Sequence, residues 1–131
     1  MGVYTEEQLN AIYQLGVVYF ESGFFTPAER LFNGLLRVDG GTTPALVGIG
    51  LIKLERGLFD EASSFFRASL EQGSNIVQAR LGLAFAFLAS GESTRVRSLL
   101  TQIDKDHARE LSLDMNLQTL WETAAAQAGL Q

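Results

Sequence analysis

The only histidine in the chain, His107, lies between Asp106 and Ala108 in the polar run Asp104-Lys105-Asp106-His107, with no second His and no Cys to share a metal ion. It reads as a solvated surface residue. Gly48-Ile49-Gly50 opens like a phosphate-cradling dinucleotide motif, but it sits inside an apolar helical pattern with Lys53 where the third glycine is required. It reads as close helix packing. The neighbouring carboxylates Glu6-Glu7, Asp60-Glu61 and Asp104/Asp106 fall at expected helix starts, where negative charge complements the helix dipole. No nucleophile, base and orienting group form a set, so the chain is expected not to be an enzyme and to need no metal or organic cofactor.

The chemistry that remains is apolar recognition. Tyr13, Val17 and Phe20 share one face of a helical pattern, and the same face returns as Val47, Leu51 and Leu54 and again as Leu81, Phe85 and Leu88. Phe20, Leu54 and Leu88 stand nearest the contact between paired helices and are expected in the core. Tyr13, Val17, Val47, Leu51, Leu81 and Phe85 are expected to stay uncovered, because three helical hairpins supply no second layer. Left bare, they exceed the few hundred Å² of contiguous apolar surface that monomers tolerate, so something is expected to bind them.

What positions these nine residues is a register of 34. Gly50, Gly57, Ala62 and Phe66 have counterparts 34 residues earlier in Gly16, Gly23, Ala28 and Phe32, and 34 later in Ala84, Gly91, Val96 and Leu100. Leu15, Ile49 and Leu83 keep the same register. Size-matched columns over three copies mark a repeat protein. Thr5 with Gln8 predicts a first helix ending at Gly23. Thr26-Pro27-Ala28-Glu29 predicts the start of a second, running to Gly40-Gly41. Thr43-Pro44 starts a third to Gly57, Asp60 a fourth to Gly73, Ser74 or Asn75 a fifth to Gly91, and Ser93 a sixth. Leu113, Leu117, Leu120, Trp121 and Ala124 then form the stripe of a terminal helix over about 107–129, expected to cap the last hairpin, with Leu117 and Trp121 meeting Leu99, Leu100 and Ile103. The whole reads as one all-α domain over 1–131, with repeats at about 9–42, 43–76 and 77–110.

At 131 residues and 47% hydrophobic content the chain can bury a core. Fifteen acidic against ten basic residues, a net charge of −5, leave no cationic cluster for nucleic acid. Gln14, Glu21, Lys53, Glu55 and Arg80 interrupt every run that approaches the roughly 18 apolar residues of a membrane span. The absence of Cys and of a basic and apolar leader in Met1-Gly2-Val3-Tyr4-Thr5-Glu6 fits a cytoplasmic location.

The columns Leu15-Gly16, Tyr19, Gly23, Ala28 and Phe32, with their repeats, resemble the tetratricopeptide repeat. The resemblance covers residues 9 to about 110. It implies three helical hairpins in a right-handed solenoid, with the nine apolar residues lining a concave groove. Ile12, Leu46 and Arg80 stand where that family often has Trp, Lys53 stands where Tyr19 and Phe87 are aromatic, and Val96 and Leu100 replace Ala and Phe. Members that clamp the acidic terminus of heat-shock proteins carry Lys, Asn and Arg in the groove. Here Tyr13, Val17 and Leu51 take those places, which implies an apolar or amphipathic partner segment instead. Tyr19-Phe20-Glu21-Ser22-Gly23, then Ala28, Glu29 and Phe32, then Asp39 and Gly50-Leu51 are similar to the small tetratricopeptide chaperones of bacterial type III secretion. That resemblance implies a chaperone holding a secreted translocator or needle subunit in the cytoplasm. Only Met1 to Tyr4 precede the first helix, so dimerisation through the longer N-terminal extension of many such chaperones is not expected. The alternative is a structural scaffold or homo-oligomer, with the groove filled by a second protomer or by the chain's own C-terminal helix.

Overall fold

The computed structural model of the chain describes residues 4–38, 43–73 and 75–130. Over these residues it holds seven helices and no strand: α1 (Glu6–Glu21), α2 (Phe25–Leu36), α3 (Thr43–Glu55), α4 (Phe59–Glu71), α5 (Ile76–Ala89), α6 (Ser93–Leu113) and α7 (Met115–Ala128). Among the described residues no helix is long and apolar enough to cross a membrane. Asp39, Gly40, Gly41 and Ser74, read above as helix-closing or helix-opening residues, lie outside the described residues.

Each helix packs on the next. The odd-numbered helices also pack on one another, α1 on α3, α3 on α5 and α5 on α7, while α2, α4 and α6 make no such contact among themselves. The sequence dictates this division. α5 (IVQARLGLAFAFLA) is apolar nearly all round and buries Val77, Ala79, Leu81, Gly82, Leu83, Ala84, Ala86 and Phe87, as a helix covered on several sides must. α2 and α4 are one-sided: α4 buries Ala62, Ser63, Phe66 and Ser69 and turns Asp60, Glu61, Ser64 and Arg67 to solvent.

The rows are locked by phenylalanine wedges. Phe32 of α2 reaches between α1 and α3, where a Cβ added to Gly16 would stand 2.6 Å from one edge of its ring and a Cβ on Gly48 2.7 Å from the other. Phe66 of α4 points likewise between Gly50 of α3 and Gly82 of α5, at 2.6 and 2.5 Å. Helix backbones therefore approach to within one ring of each other, a distance that only glycine permits. In the third hairpin the wedge shrinks to Leu100 and the notch to Ala84, and both are fully buried. The column changes at the two ends: exposed Gln14 stands 34 residues before Gly48, and exposed Gln118 34 after Ala84. Gly48-Ile49-Gly50 is thus a packing motif, with Ile49 only 1% exposed.

Four helices end in one motif. Gly23, Gly57, Gly91 and Gly129 have φ of +83°, +77°, +79° and +76°. The N–H of the residue after each reaches five residues back, Phe24 to Tyr19 O at 2.8 Å, Leu58 to Lys53 O at 2.9 Å, Glu92 to Phe87 O at 2.8 Å and Leu130 to Ala125 O at 2.8 Å. These are Schellman ends, and the left-handed φ is why glycine recurs there.

Helix starts divide into two that capping chemistry makes, α1 and α7, and several that it does not. The Thr5 hydroxyl accepts from the Gln8 N–H at 3.1 Å, while the Gln8 side chain accepts from the Thr5 N–H at 2.9 Å, the capping box its spacing predicts. Thr26-Pro27-Ala28-Glu29 is not a cap: α2 begins at Phe25, because the turn at Gly23 leads straight into helix, and Pro27 is tolerated in the first turn, where its missing N–H has no partner to lose. Thr26 and Glu29 serve α3 instead. Arg56 Nη1 donates to Glu29 Oε1 at 2.9 Å and Arg56 Nη2 to the Thr26 hydroxyl at 3.0 Å, with Lys53 Nζ at 3.8 Å from Glu29 and 3.7 Å from Glu61. Arg56 is one-third exposed, so Arg56→Ala is expected to cost only about 0.5–1 kcal/mol in urea unfolding, shrinking as salt is added. α4 likewise starts at Phe59 rather than Asp60. Asn75 occupies the N-cap of α5 in a left-handed conformation, φ +51°, with no side-chain cap bond.

The terminal helix differs most from its expected span of 107–129. Asp104 to His107 do not break the chain, because α6 continues to Leu113 with a kink at His107 (φ −132°, ψ 25°). His107 is half-buried, not freely solvated, with Nδ1 3.7 Å from Glu110. Asp104 and Asp106 lie within α6, not at a helix start. The true boundary is Asp114, whose Oδ1 accepts from the Asn116 and Leu117 N–H groups at 2.9 and 3.2 Å and opens α7. Leu113, assigned to the stripe of that helix, ends α6 instead and is 78% exposed.

Candidate functional site

Between α3, α5 and α7 lies a broad, largely apolar depression, a cavity of about 640 Å³. Its wall is built from four of the nine residues singled out above: Leu51 and Leu54 from α3, Phe85 and Leu88 from α5. Helical spacing of three puts the two members of each pair on one side of their helix. Phe59 at the start of α4 and Ser93 at the start of α6 close the end where the Gly57 and Gly91 turns lie. Leu120 and Gln127 of α7 form the far side, and Glu55 and Ala89 complete the lining.

The other five of the nine are placed differently. Val47 and Leu81 are core, 8% and 2% exposed, because their column lies under the contacts that the odd helices make with one another. Tyr13, Val17 and Phe20 are half-buried against the α1–α3 core. The Tyr13 ring meets Phe32 at 5.7 Å between centroids and Phe20 meets Phe25 at 5.5 Å. Burial pushes the Tyr13 hydroxyl above its ordinary value of 10.0 by disfavouring the phenolate, so the fold loses stability as pH rises from that ordinary value through the raised one. The division between core and open surface differs from the expected one at four of the nine: Leu54 and Leu88, expected in the core, line the cavity, and Val47 and Leu81, expected to be uncovered, are buried, while Leu51 and Phe85 line the cavity and Phe20 packs on the core.

Sequence reasoning missed Glu55, Phe59, Ala89, Ser93, Leu120 and Gln127. Position beside the turn glycines was the one available signal for Phe59 and Ser93. Leu120 was read as facing the last hairpin, yet it is 44% exposed on the cavity side.

Leu117 joins Leu100, Ile103 and Leu111 in one core cluster, with Leu99 and Trp121 packed on it. The Trp121 indole N–H donates to Leu100 O at 2.9 Å and Arg97 Nη1 to Ala128 O at 3.0 Å. α7 therefore lies against α5 and α6 and contributes one edge to the cavity.

Charge is sparse around the site. Glu55 is the one formally charged residue in the lining. Lys53 and Arg56 flank it in sequence but are drawn to Glu29 and Glu61 on the outer side. Among the described residues no three His, Asp or Glu side chains converge as a metal site requires. A second, smaller cavity is polar, with Ser63, Ser64 and Ser90 beside Arg67 and Arg95, whose guanidinium carbons stand 6.0 and 5.3 Å from the centre of the Phe87 ring. Asp60 and Glu92 line it too and offset the two cations.

No model of a known protein family matches the chain, and no curated protein matches it significantly.

Proposed function

We propose that the chain is a protein-binding module of tetratricopeptide type, three helical hairpins in a right-handed solenoid closed by α7, which holds an apolar segment of a partner protein in the cavity between α3, α5 and α7. The observation that carries this reading is the cavity itself: Leu51, Leu54, Phe59, Phe85, Leu88 and Leu120 stand around about 640 Å³ of open space that no side chain of the described residues fills. That volume falls within the range of about 300–1,000 Å³ usual for ligand sites, enough for a few anchoring side chains and too little for a folded partner. The 34-residue register, the glycine–phenylalanine wedges and the four Schellman ends support the solenoid. The narrower reading, a cytoplasmic chaperone of type III secretion that keeps a translocator or needle subunit soluble, rests on the resemblance of Tyr19–Gly23, Ala28, Glu29, Phe32, Asp39 and Gly50-Leu51. The scaffold or homo-oligomer reading uses the same surface with a second protomer as the occupant.

Leu51→Glu and Phe85→Glu test the reading, since each places a charge where an apolar anchor is to be buried. The expected result is loss of partner binding by calorimetry, a weakening of tenfold or more, with helical content by circular dichroism near wild type. Unchanged affinity in both variants overturns the cavity as the binding site. Wild-type protein that instead elutes as a dimer, and as a monomer once Phe85→Glu is introduced, supports the scaffold.

A further inference from the structure

The cavity is lined mostly by apolar side chains and carries one formal charge, Glu55. Glu55 lines it, is exposed, and forms no ion pair among the described residues. The cations adjacent in sequence are committed elsewhere, Lys53 to Glu29 and Glu61 and Arg56 to Glu29, and that foursome carries no net charge. Helix dipoles do not settle the local sign. The C-terminal ends of α3 and α5 at Glu55 and Ala89 meet the N-terminal ends of α4 and α6 near Phe59 and Ser93, so negative and positive ends offset. Glu55 is then the one formal charge in the lining. Its placement is locally unfavourable as well, since a carboxylate on the last residue of α3 sits at the negative end of that helix.

We infer that the segment this cavity takes is an apolar stretch that carries a lysine or arginine, its aliphatic or aromatic side chains filling the space between Leu51, Leu54, Phe85 and Leu88 and its cation meeting Glu55 at the rim. This rests on the cavity being the partner site, as proposed above, and specifies the partner's charge. An apolar segment flanked by acidic residues is disfavoured, because it brings like charge to Glu55 and no cation stands among the lining residues to receive it. A long aliphatic stem also suits Lys or Arg to the boundary, lying along the apolar wall while the head stays wet.

Three synthetic peptides with one common leucine-rich core, flanked by lysines, by glutamines or by glutamates, test this against the full chain by fluorescence anisotropy. The lysine peptide is expected to bind about two- to fivefold tighter than the glutamine peptide and the glutamate peptide weakest, the size of a partly exposed ion pair. Glu55→Gln is expected to erase the difference between lysine and glutamine peptides. Glu71→Gln, which removes an equal charge from an exposed position outside the cavity, is expected to preserve it. Equal binding of all three peptides overturns the cation inference and leaves the apolar site standing. A lysine preference that survives Glu55→Gln also overturns it, as attraction to the net charge of the whole chain. Absence of binding by every peptide overturns the apolar site and this inference together.

Discussion

Replacing Gly50 by leucine is expected to unfold the central hairpin. A Cβ alone at this position would stand 2.6 Å from Phe66 Cε1, closer than real Cβ atoms approach, and Gly82 confronts the same ring edge at 2.5 Å from the neighbouring helix. The ring therefore stands in close contact with both helices, and Phe66 is fully buried. Overpacking a close contact costs about 1–3 kcal/mol for small additions, and a four-carbon side chain in a backbone-to-ring contact exceeds that. Against a total stability of about 5–15 kcal/mol, Gly50→Leu should leave a chain without a cooperative melt, while Gly50→Ala should melt cooperatively at lower temperature. The compensating change is present in the third hairpin, where Ala84 replaces the glycine and Leu100 the phenylalanine. Gly50→Ala combined with Phe66→Leu should accordingly cost less than the sum of the two single changes in urea unfolding. Additive costs, or a Gly50→Leu protein that melts like wild type, would remove the wedge as the element that sets the spacing of the rows.

That wedge was half legible in the sequence. Gly16, Gly50 and Ala84 stood out with Phe32, Phe66 and Leu100 because both columns repeat at 34, and Gly48 could be assigned to packing because Lys53 breaks the phosphate motif. That Gly48 and Gly82 face the wedge of the preceding hairpin was not legible, since it depends on how far α2 and α4 reach across. Exposure was read poorly for a related reason. Leu15 shares its column with Ile49 and Leu83, yet it is 47% exposed while they are 1% and 4%, because α1 has no hairpin packed on its outward side. Val18, at 57%, lies on that same face. Period identifies equivalent positions; it cannot say which of them has a neighbour. The same limit applies to the site. Helical spacing grouped Val47 with Leu51 and Leu81 with Phe85, but the crossing of the odd helices buries the first of each pair and leaves the second at the cavity. At the start of α2 the side chains with capping chemistry had found a tertiary partner, Thr26 and Glu29 in Arg56. Polar composition misled at Asp104 to His107, which kinks α6 without ending it.

Removing α7, by ending the chain after Leu113, is expected to destabilise the whole fold and not to release a binding site. α7 buries Leu117, Ala124, Ala125 and Ala128, and its loss uncovers Leu100, Ile103 and Leu111, which are 0%, 0% and 5% exposed with it in place. At about 1.5–3 kcal/mol for each large side chain returned to water, the loss is on the order of 5 kcal/mol, comparable to the stability of a small domain. The truncated chain should therefore show a broad melt, bind a hydrophobic dye and aggregate, with weaker binding of an apolar peptide because Leu120 and Gln127 no longer wall the cavity. A subtler pair of changes separates packing from hydrogen bonding at the same joint. Trp121→Phe keeps a ring against Leu100 and forfeits only the bond to its carbonyl, a cost of about 0.5–1.5 kcal/mol. Trp121→Ala forfeits the ring as well and is expected to cost about 2–3 kcal/mol, below the usual 3–5 for a buried aromatic because this one is half-buried. Equal effects of the two would place the whole contribution in the hydrogen bond. A truncated protein that stays cooperatively folded and binds the apolar peptide much more tightly than the intact chain would make α7 an occupant of the binding surface, and would favour the self-filled scaffold over the partner-holding module.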